Sequence, residues 1–325
     1  MTQYVEKWTL NELKIIYDQP LLKLISQANA IHTTFHDQQE VQVCSLISIK
    51  TGGCPEDCKY CSQSSRYQTP TQAQAMMEFD EVLEVARNAI DRGATRICLG
   101  AAWREIRDNH QFENALKMIR SIAELGVEVC CTFGMLKEHQ AIRLKESGLY
   151  AYNHNLDSSE RFYKTIITSR TYQDRLKTLD IVEKTGISVC CGGIIGMGEK
   201  PEDRLELLLT LSKRNSPPES IPINCLAPIP GTPFENQPKL SIWELIRMIA
   251  TTRIVFPRAM VRLSAGRADM SHEEHALCFL AGANSIFAGD RLLTIANMPI
   301  DKDEEMFRIF GLKKRPSYST TKSEV

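Results

Sequence analysis

Between Gly52 and Arg66 the chain reads Gly-Gly-Cys54-Pro-Glu-Asp-Cys58-Lys-Tyr60-Cys61-Ser-Gln-Ser-Ser-Arg, three cysteines at C-x3-C-x2-C spacing. The stretch is too rich in Gly, Pro and Ser for a regular helix or strand, so the spacing is expected to bring three thiolates round one point in a loop. Thiolate is the preferred ligand of iron-sulfur clusters and of zinc, and a structural zinc ion normally takes four protein ligands. Three ligands leave one metal position open, and an open position is where chemistry happens. The plainer readings are a zinc loop whose fourth ligand lies elsewhere, or three unremarkable thiols.

Further thiols lie in apolar runs that predict strands: Cys98 in Ile-Cys-Leu-Gly, Cys130 in Val-Cys-Cys-Thr, and Cys190 in Val-Cys-Cys-Gly. If these are separate strands of one barrel, inward-pointing side chains from different strands meet in a layer. Taken singly, each is as well explained as a small buried hydrophobe. Successive strand residues face opposite sides, so only one of Cys130/Cys131 and one of Cys190/Cys191 points inward, and periodicity does not say which. Asn153, Asn155 and Asp157 alternate at a predicted strand end and would share a face there. Amides both donate and accept, and Asp accepts from hydroxyls; local capping of a turn explains the same residues. His154 should face away as a structural residue. The rigid run Pro228-Ile-Pro-Gly-Thr-Pro233 carries no catalytic group.

The elements that must position these groups follow from periodicity. Residues 1–40 read as a helical extension, with Thr9-Leu-Asn-Glu12 as a capping box and an apolar face from Leu10, Leu13, Ile16, Leu21, Leu22 and Ile25. Val41 to Lys50 is β-branched and alternating, a strand that runs into the cysteine loop. A helical face at Val82, Val85, Ala86, Ala89 and Ile90 is followed by Gly93 and a short apolar strand. The order helix, Gly, strand returns at Gly126, Gly148, Gly186 and Gly282, each Gly suiting a left-handed helix cap. Strands are also expected at Ile221–Leu226 and Met260–Ser264. About eight alternating units predict an α/β fold, a (β/α)8 TIM-type barrel over residues 41–310 with its site at the C-terminal strand ends. A doubly wound dinucleotide fold is the alternative, weakened because Gly193-Ile-Ile-Gly196-Met-Gly198 is followed by Glu-Lys-Pro and completes no phosphate-binding motif. Residues 311–325 are polar and unpatterned and are expected to be a disordered tail.

The chain has 325 residues, 43% hydrophobic and 24% charged, with a net charge of -1. That balance suits a soluble globular protein with a core and provides no basic stripe for nucleic acid. Eleven cysteines fall far below the about 8–10% of a short disulfide scaffold. MTQYVEKWTL shows no basic n-region before an apolar run, so a reducing, cytoplasmic setting is expected and the cysteines read as thiols and ligands. No run of about 18 apolar residues predicts a membrane span.

C-x3-C-x-Tyr-C resembles the signature of the radical S-adenosylmethionine superfamily. The resemblance implies a 4Fe-4S cluster held by Cys54, Cys58 and Cys61. Its fourth iron would bind the amino and carboxylate groups of S-adenosylmethionine, which is cleaved to a 5′-deoxyadenosyl radical, with Tyr60 beside the adenine. From about Trp8 to Phe310 the chain also resembles the biotin synthase family. The motifs that carry this are Gly53-Cys-Pro-Glu-Asp-Cys-Lys-Tyr-Cys-Ser-Gln-Ser, Cys98-Leu-Gly-Ala-Ala-Trp, Tyr152-Asn-His-Asn-Leu-Asp157, Gly192-Gly-Ile-Ile-Gly-Met-Gly-Glu199, Ile223-Asn224 and Val261-Arg-Leu-Ser-Ala-Gly-Arg267. By that resemblance a 2Fe-2S cluster is held by Cys98, Cys130, Cys190 and Arg262, while Cys131 and Cys191 could compete with their neighbours. A buried Arg more often partners a carboxylate or an anion, and it has no free lone pair below a pKa of about 12; the metal role of Arg262 rests on the resemblance alone.

The resemblance further implies that Asn153, Asn155 and Asn224 contact dethiobiotin, whose ureido ring needs both donors and acceptors, and that Asn155 and Asp157 contact S-adenosylmethionine. The expected reaction inserts sulfur between the methyl and methylene carbons of dethiobiotin, the last step of biotin formation. Unactivated C-H groups offer nothing to acid-base catalysis, so a cofactor must supply a radical. A flavodoxin-like or ferredoxin-like electron donor and a homodimer are expected from the family. Two rivals remain: a related barrel radical enzyme, such as a hydrogenase-cofactor maturase or a methylornithine synthase, without the full second ligand set, and a non-catalytic iron-sulfur or zinc protein.

Overall fold

The computed structural model describes residues 8–317; the first residues of the expected extension and the last eight of the expected tail lie outside them. In chain order come α1 (Leu10–Tyr17), α2 (Leu21–Phe35), β1 (Glu40–Lys50), α3 (Phe79–Asp91), β2 (Arg96–Ala101), α4 (His110–Ala123), β3 (Glu128–Thr132), α5 (Glu138–Glu146) and β4 (Ala151–Asn153). They are followed by α6 (Glu160–Ile166), α7 (Tyr172–Lys184), β5 (Ser188–Cys190), β6 (Gly193–Ile195), α8 (Pro201–Ser212), β7 (Ser220–Cys225), α9 (Ile242–Val255), β8 (Met260–Leu263), α10 (His272–Leu280) and β9 (Ser285–Ala288). A hairpin, β10 (Arg291–Leu292) with β11 (Ile295–Ala296), leads to α11 (Ile300–Phe310) and β12 (Lys313–Lys314).

The main sheet is parallel and closes, because β1 pairs with β2 on one side and with β9 on the other, Gln42 opposite Ser285. Closure excludes the doubly wound alternative. β5 and β6 form one stave interrupted at Cys191–Gly192, which leaves eight staves. The interruption has a steric reason: a Cβ on Gly192 would lie 2.0 Å from the Pro222 carbonyl oxygen, so only glycine lets the two staves approach there.

Along each stave alternate residues serve two layers. Val41, Val43, Ile47 and Ile49 of β1, Ile97 and Leu99 of β2, and Val261 and Leu263 of β8 join the apolar layer under the helices. Cys44 of β1, Cys98 of β2, Cys130 of β3 and Cys190 of β5 turn to the barrel interior. Both faces of a parallel strand are thus covered, which is why these runs read as almost continuously apolar. The five repeat glycines take positive φ as expected, Gly93 at 90°, Gly126 at 81°, Gly148 at 91°, Gly186 at 70° and Gly282 at 105°.

Thr9 and Glu12 form the expected capping box, with Thr9 N–H donating to the Glu12 carboxylate at 2.8 Å. α1 and α2 pack against α8 and α9 rather than covering the mouth of the barrel. The expectation of disorder from residue 311 is corrected: Gly311 caps α11 in the left-handed region, and Lys313 and Lys314 pair in parallel with Glu40 and Val41. β1 extends past its neighbours at that end, and the added strand occupies backbone groups that would otherwise lie on an open edge.

Candidate active site

The cysteine loop leaves the C-terminal end of β1, at the barrel mouth. Backbone bonds shape it: Cys54 N–H donates to Gln63 O at 2.9 Å, Ser65 N–H to Cys54 O at 2.7 Å, and Cys61 N–H to Cys58 O at 2.9 Å. The loop is tied to the α6–α7 connection by Asp57, whose carboxylate accepts from the backbone N–H groups of Thr168 (2.9 Å) and Ser169 (3.0 Å). Against the effect of burial, the Thr168 hydroxyl, which also donates to this carboxylate, and those N–H groups hold Asp57 well below the usual carboxylate range. Arg170 from the same connection directs Nη2 toward Cys58 Sγ at 3.9 Å, and its Nε lies 3.9 Å from Glu56 Oε2.

All eleven cysteines are free. Burial pushes the Cys54 thiol up, Cys58 to about 11 and Cys61 to about 12. A thiol in such a place ionises only against a strong local cation, and bound iron is one. The donor set therefore fits an iron-sulfur cluster. Among the described residues no three His, Cys, Asp or Glu side chains close on a single-ion point; the three thiols line one cavity.

Tyr60, between Cys58 and Cys61, donates its hydroxyl to Asp157 Oδ2 at 2.9 Å. The same oxygen accepts from Arg175 Nη2 at 2.6 Å. The simple alternation expected for Asn153, Asn155 and Asp157 does not hold, because β4 ends at Asn153 and Asp157 has φ 67°. The three residues still line the same cavity, brought there by a turn. His154, expected to face away, is buried and also forms part of the wall; burial first, then Arg175 and Arg170, hold it neutral.

One layer deeper lie the inner thiols. Cys98 and Cys130 sit opposite each other in register, and both pack with Cys190 in one buried cluster. Cys131 and Cys191 belong to the apolar layer behind the sheet, so Cys130 and Cys190 are the inward members of their pairs. The neighbouring Cys130 thiol, with Arg262 and Arg96 adding to it, lowers Cys98 well below the ordinary thiol value and Cys190 to about 6. Arg262 is 1% exposed, and its Nη1 points at Cys190 Sγ at 3.7 Å. Its Nε donates to Ser285 Oγ at 2.9 Å and its Nη2 to Gln42 Oε1 at 3.1 Å. Among the described residues no carboxylate receives it. The carboxylates nearby, buried Glu128 and half-buried Glu219, are claimed by Arg96, whose Nη2 meets them at 2.7 Å and 2.9 Å. Thiols in this number, with a cation beside them, again fit an iron-sulfur cluster.

A cavity of about 320 Å³ joins the two groups, lined by Cys54, Cys58 and Cys61 at its mouth and by Cys98, Cys130 and Arg262 at its floor. Between them Asn153 Nδ2 donates to Asn155 Oδ1 and to Cys190 Sγ, both at 3.2 Å. Asn224 Nδ2 donates to Gly193 O at 3.0 Å. The β10–β11 hairpin leans over the opening with Leu292, Leu293, Thr294 and Ile295 in the wall, and Thr294 shares a 2.7 Å hydroxyl contact with Ser62. In the run Pro228–Pro233, a Cβ on Gly231 would lie 1.9 Å from Gln68 O, so the loop seats on the segment after the cysteines.

Sequence reasoning missed Cys44, Gln42, Ser285, Arg170, Arg175 and the hairpin. Gln42 and Cys44 had a signal: in a β-branched strand they share one face with each other and not with Val41 and Val43. The arginines of the α6–α7 region carried none.

The Radical SAM superfamily matches residues 48–211, and the Biotin and Thiamin Synthesis associated domain matches residues 222–313. The biotin synthase of Chlamydia abortus is 58% identical over 324 residues, 100% of this chain and 98% of that protein. The mitochondrial biotin synthase of Arabidopsis thaliana is 54% identical, covering 98% of this chain and 84% of that one. Among solved structures, methylornithine synthase superimposes with TM-score 0.80 at 19% identity, over 98% of this chain and 97% of that one. The FeFe-hydrogenase maturase HydG of Carboxydothermus hydrogenoformans gives 0.80 at 17%, over 95% and 76%; at such identities these two share the fold.

Proposed function

The chain belongs to the biotin synthase family of radical S-adenosylmethionine enzymes and forms biotin by radical insertion of sulfur into dethiobiotin, and we propose that its two groups of thiols divide that reaction between them. The observation that carries this division is that both groups open on one cavity, with Asn153 touching Cys190 from the substrate side. When bound, a 4Fe-4S cluster with S-adenosylmethionine supplies the one-electron chemistry that breaks an unactivated C-H bond, and a 2Fe-2S cluster supplies the sulfur atom.

Cys54, Cys58 and Cys61 hold the first cluster, and Cys98, Cys130, Cys190 and Arg262 the second. Tyr60 walls the adenine side and is held there by its bond to Asp157. Asp157, its Oδ2 already shared by Tyr60 and Arg175, offers Oδ1 to a ribose hydroxyl, with Asn155 beside it. Asn153, Asn155 and Asn224 present amides to the ureido ring and fix dethiobiotin between the two thiol groups, a positioning that raises the effective concentration of the reacting atoms. The apolar wall and the hairpin keep water from the open-shell species. The same reading includes a flavodoxin-like or ferredoxin-like reductant, a cytoplasmic location and a homodimer; no helix among the described residues is long and apolar enough to cross a membrane.

Anaerobic reconstitution with iron and sulfide, followed by reductant, S-adenosylmethionine and dethiobiotin, tests the proposal by mass spectrometry. 5′-Deoxyadenosine and biotin should both form in dependence on dethiobiotin. 5′-Deoxyadenosine without biotin would refute the role given to the second group of thiols, and neither product from cluster-loaded protein would refute both assignments. A Cys54→Ala chain that still cleaved S-adenosylmethionine reductively would refute the first.

A further inference from the structure

Cys44 lies wholly buried on the inner face of β1, in the thiol group of Cys98, Cys130 and Cys190 and outside the main apolar layer that holds Cys131, Cys191 and Cys278. Cys44, Cys98, Cys130 and Cys190 pack in one buried cluster inside the barrel, with Cys98 and Cys130 in register on β2 and β3. The four thiols thus belong to one interior group.

The surroundings of Cys44 are those of Arg262. Cys44 Sγ lies 3.6 Å from Gln42 Oε1 and 3.7 Å from Ser285 Oγ. These two oxygens are the acceptors that orient Arg262 through Nη2 and Nε, and Ser285 Oγ donates to Gln42 Oε1 at 3.0 Å. One polar frame, Gln42 with Ser285, therefore presents two candidate ligands to one corner of the site. They differ in chemistry: a thiolate is the usual fourth ligand of a 2Fe-2S cluster, whereas a guanidinium has no lone pair to give until it loses a proton.

We propose that Cys44 is a further ligand of the second cluster, a thiolate that takes the fourth corner in exchange with Arg262. This rests on the two-cluster reading above. It makes the corner of this chain a choice between a nitrogen and a sulfur ligand, with Arg262 remaining as the neighbouring cation when Cys44 binds.

The test uses the full chain, reconstituted anaerobically, as wild type, Arg262→Leu, Cys44→Ala and the double variant. Iron and sulfide content, visible absorption and Mössbauer spectra measure each cluster, and the first cluster in the same chain reports whether the variant folds. Arg262→Leu should retain the second cluster with an all-thiolate spectrum, and Cys44→Ala should retain it through Arg262. The double variant should lose it about tenfold or more relative to either single variant, the scale on which metal sites respond to loss of supporting groups. Should Arg262→Leu fail to load even the first cluster, Arg262→Gln, which keeps donors for Ser285 and Gln42, takes its place. The proposal is overturned if the Arg262 variant loses the second cluster while Cys44 is intact, or if the double variant holds as much as the Arg262 variant. A wild-type chain that loads the first cluster but no second one overturns the two-cluster reading, and this proposal with it.

Discussion

The Arg175 guanidinium meets the Asp157 carboxylate at 2.6 Å with both side chains almost fully buried, 6% and 3% exposed. This pair, reached across the turn after β4, clamps Tyr60 and hence the span between Cys58 and Cys61. Removing one partner leaves a buried charge uncompensated, so Arg175→Met should cost about 3–5 kcal/mol in urea unfolding. Tyr60→Phe removes only a hydroxyl donor and should cost about 1 kcal/mol, with iron content of the first cluster unchanged. A larger loss for Tyr60→Phe than for Arg175→Met would count against the clamp.

The inward and outward members of each cysteine pair should behave oppositely. Cys130→Ala and Cys190→Ala should lose the second cluster, read as iron and sulfide per chain, with the first cluster intact. Cys131→Ala and Cys191→Ala touch only the apolar layer and should cost about 1–2 kcal/mol of stability from the small cavities left, with both clusters retained. Loss of the second cluster in Cys131→Ala would reverse the assignment of β3.

Beneath the thiols, Arg96 is 0% exposed between Glu128 and Glu219, and Gln42 Nε2 donates to Glu128 at 3.1 Å. Arg96→Met leaves the buried Glu128 side chain without its cation, and should cost about 3–5 kcal/mol. Since Gln42 also orients Arg262, the second cluster's visible spectrum should shift in this variant. A change in stability with no spectral change would separate the ion pair from the site.

Acid should weaken the fold through two buried histidines. Burial, then Arg253 and His36, brings His32 down to about 3; burial, then Arg267, brings His275 down to about 4. Both are depressed below the unfolded value of about 6.5, so the unfolded chain takes up protons that the folded chain refuses. Their contribution to stability is full above about 6.5 and falls as pH drops toward 4, by at most about 1.4 kcal/mol per pH unit for each ring. Urea unfolding across that window should show stability rising with pH. His32→Gln should flatten the slope, and an unaltered slope would exclude this ring as a source.

Much of this site was legible before the fold. The C-x3-C-x2-C loop announces its chemistry because ligand type and local spacing are properties of a short segment, and the βα repeat is written in hydrophobic periods with glycine at each helix end. The alternation of β1 likewise implied its two faces. Other features depend on segments far apart in the chain, and no local pattern encodes them. Which of Cys130 and Cys131 points inward depends on the register of β3 against β2, since a shift of one residue exchanges the faces. Asp157 reaches the cavity through a left-handed residue rather than strand alternation. Lys313 and Lys314 are ordered because β1 has an edge for them to pair with. Cys44 and Arg262, 218 positions apart, share Gln42 and Ser285 only because the barrel closes between β1 and β9. The sequence by itself determined the ligand types, the loop and the repeat; tertiary structure alone decided which side chains share the interior, because strand register and ring closure set the facing of every stave at once.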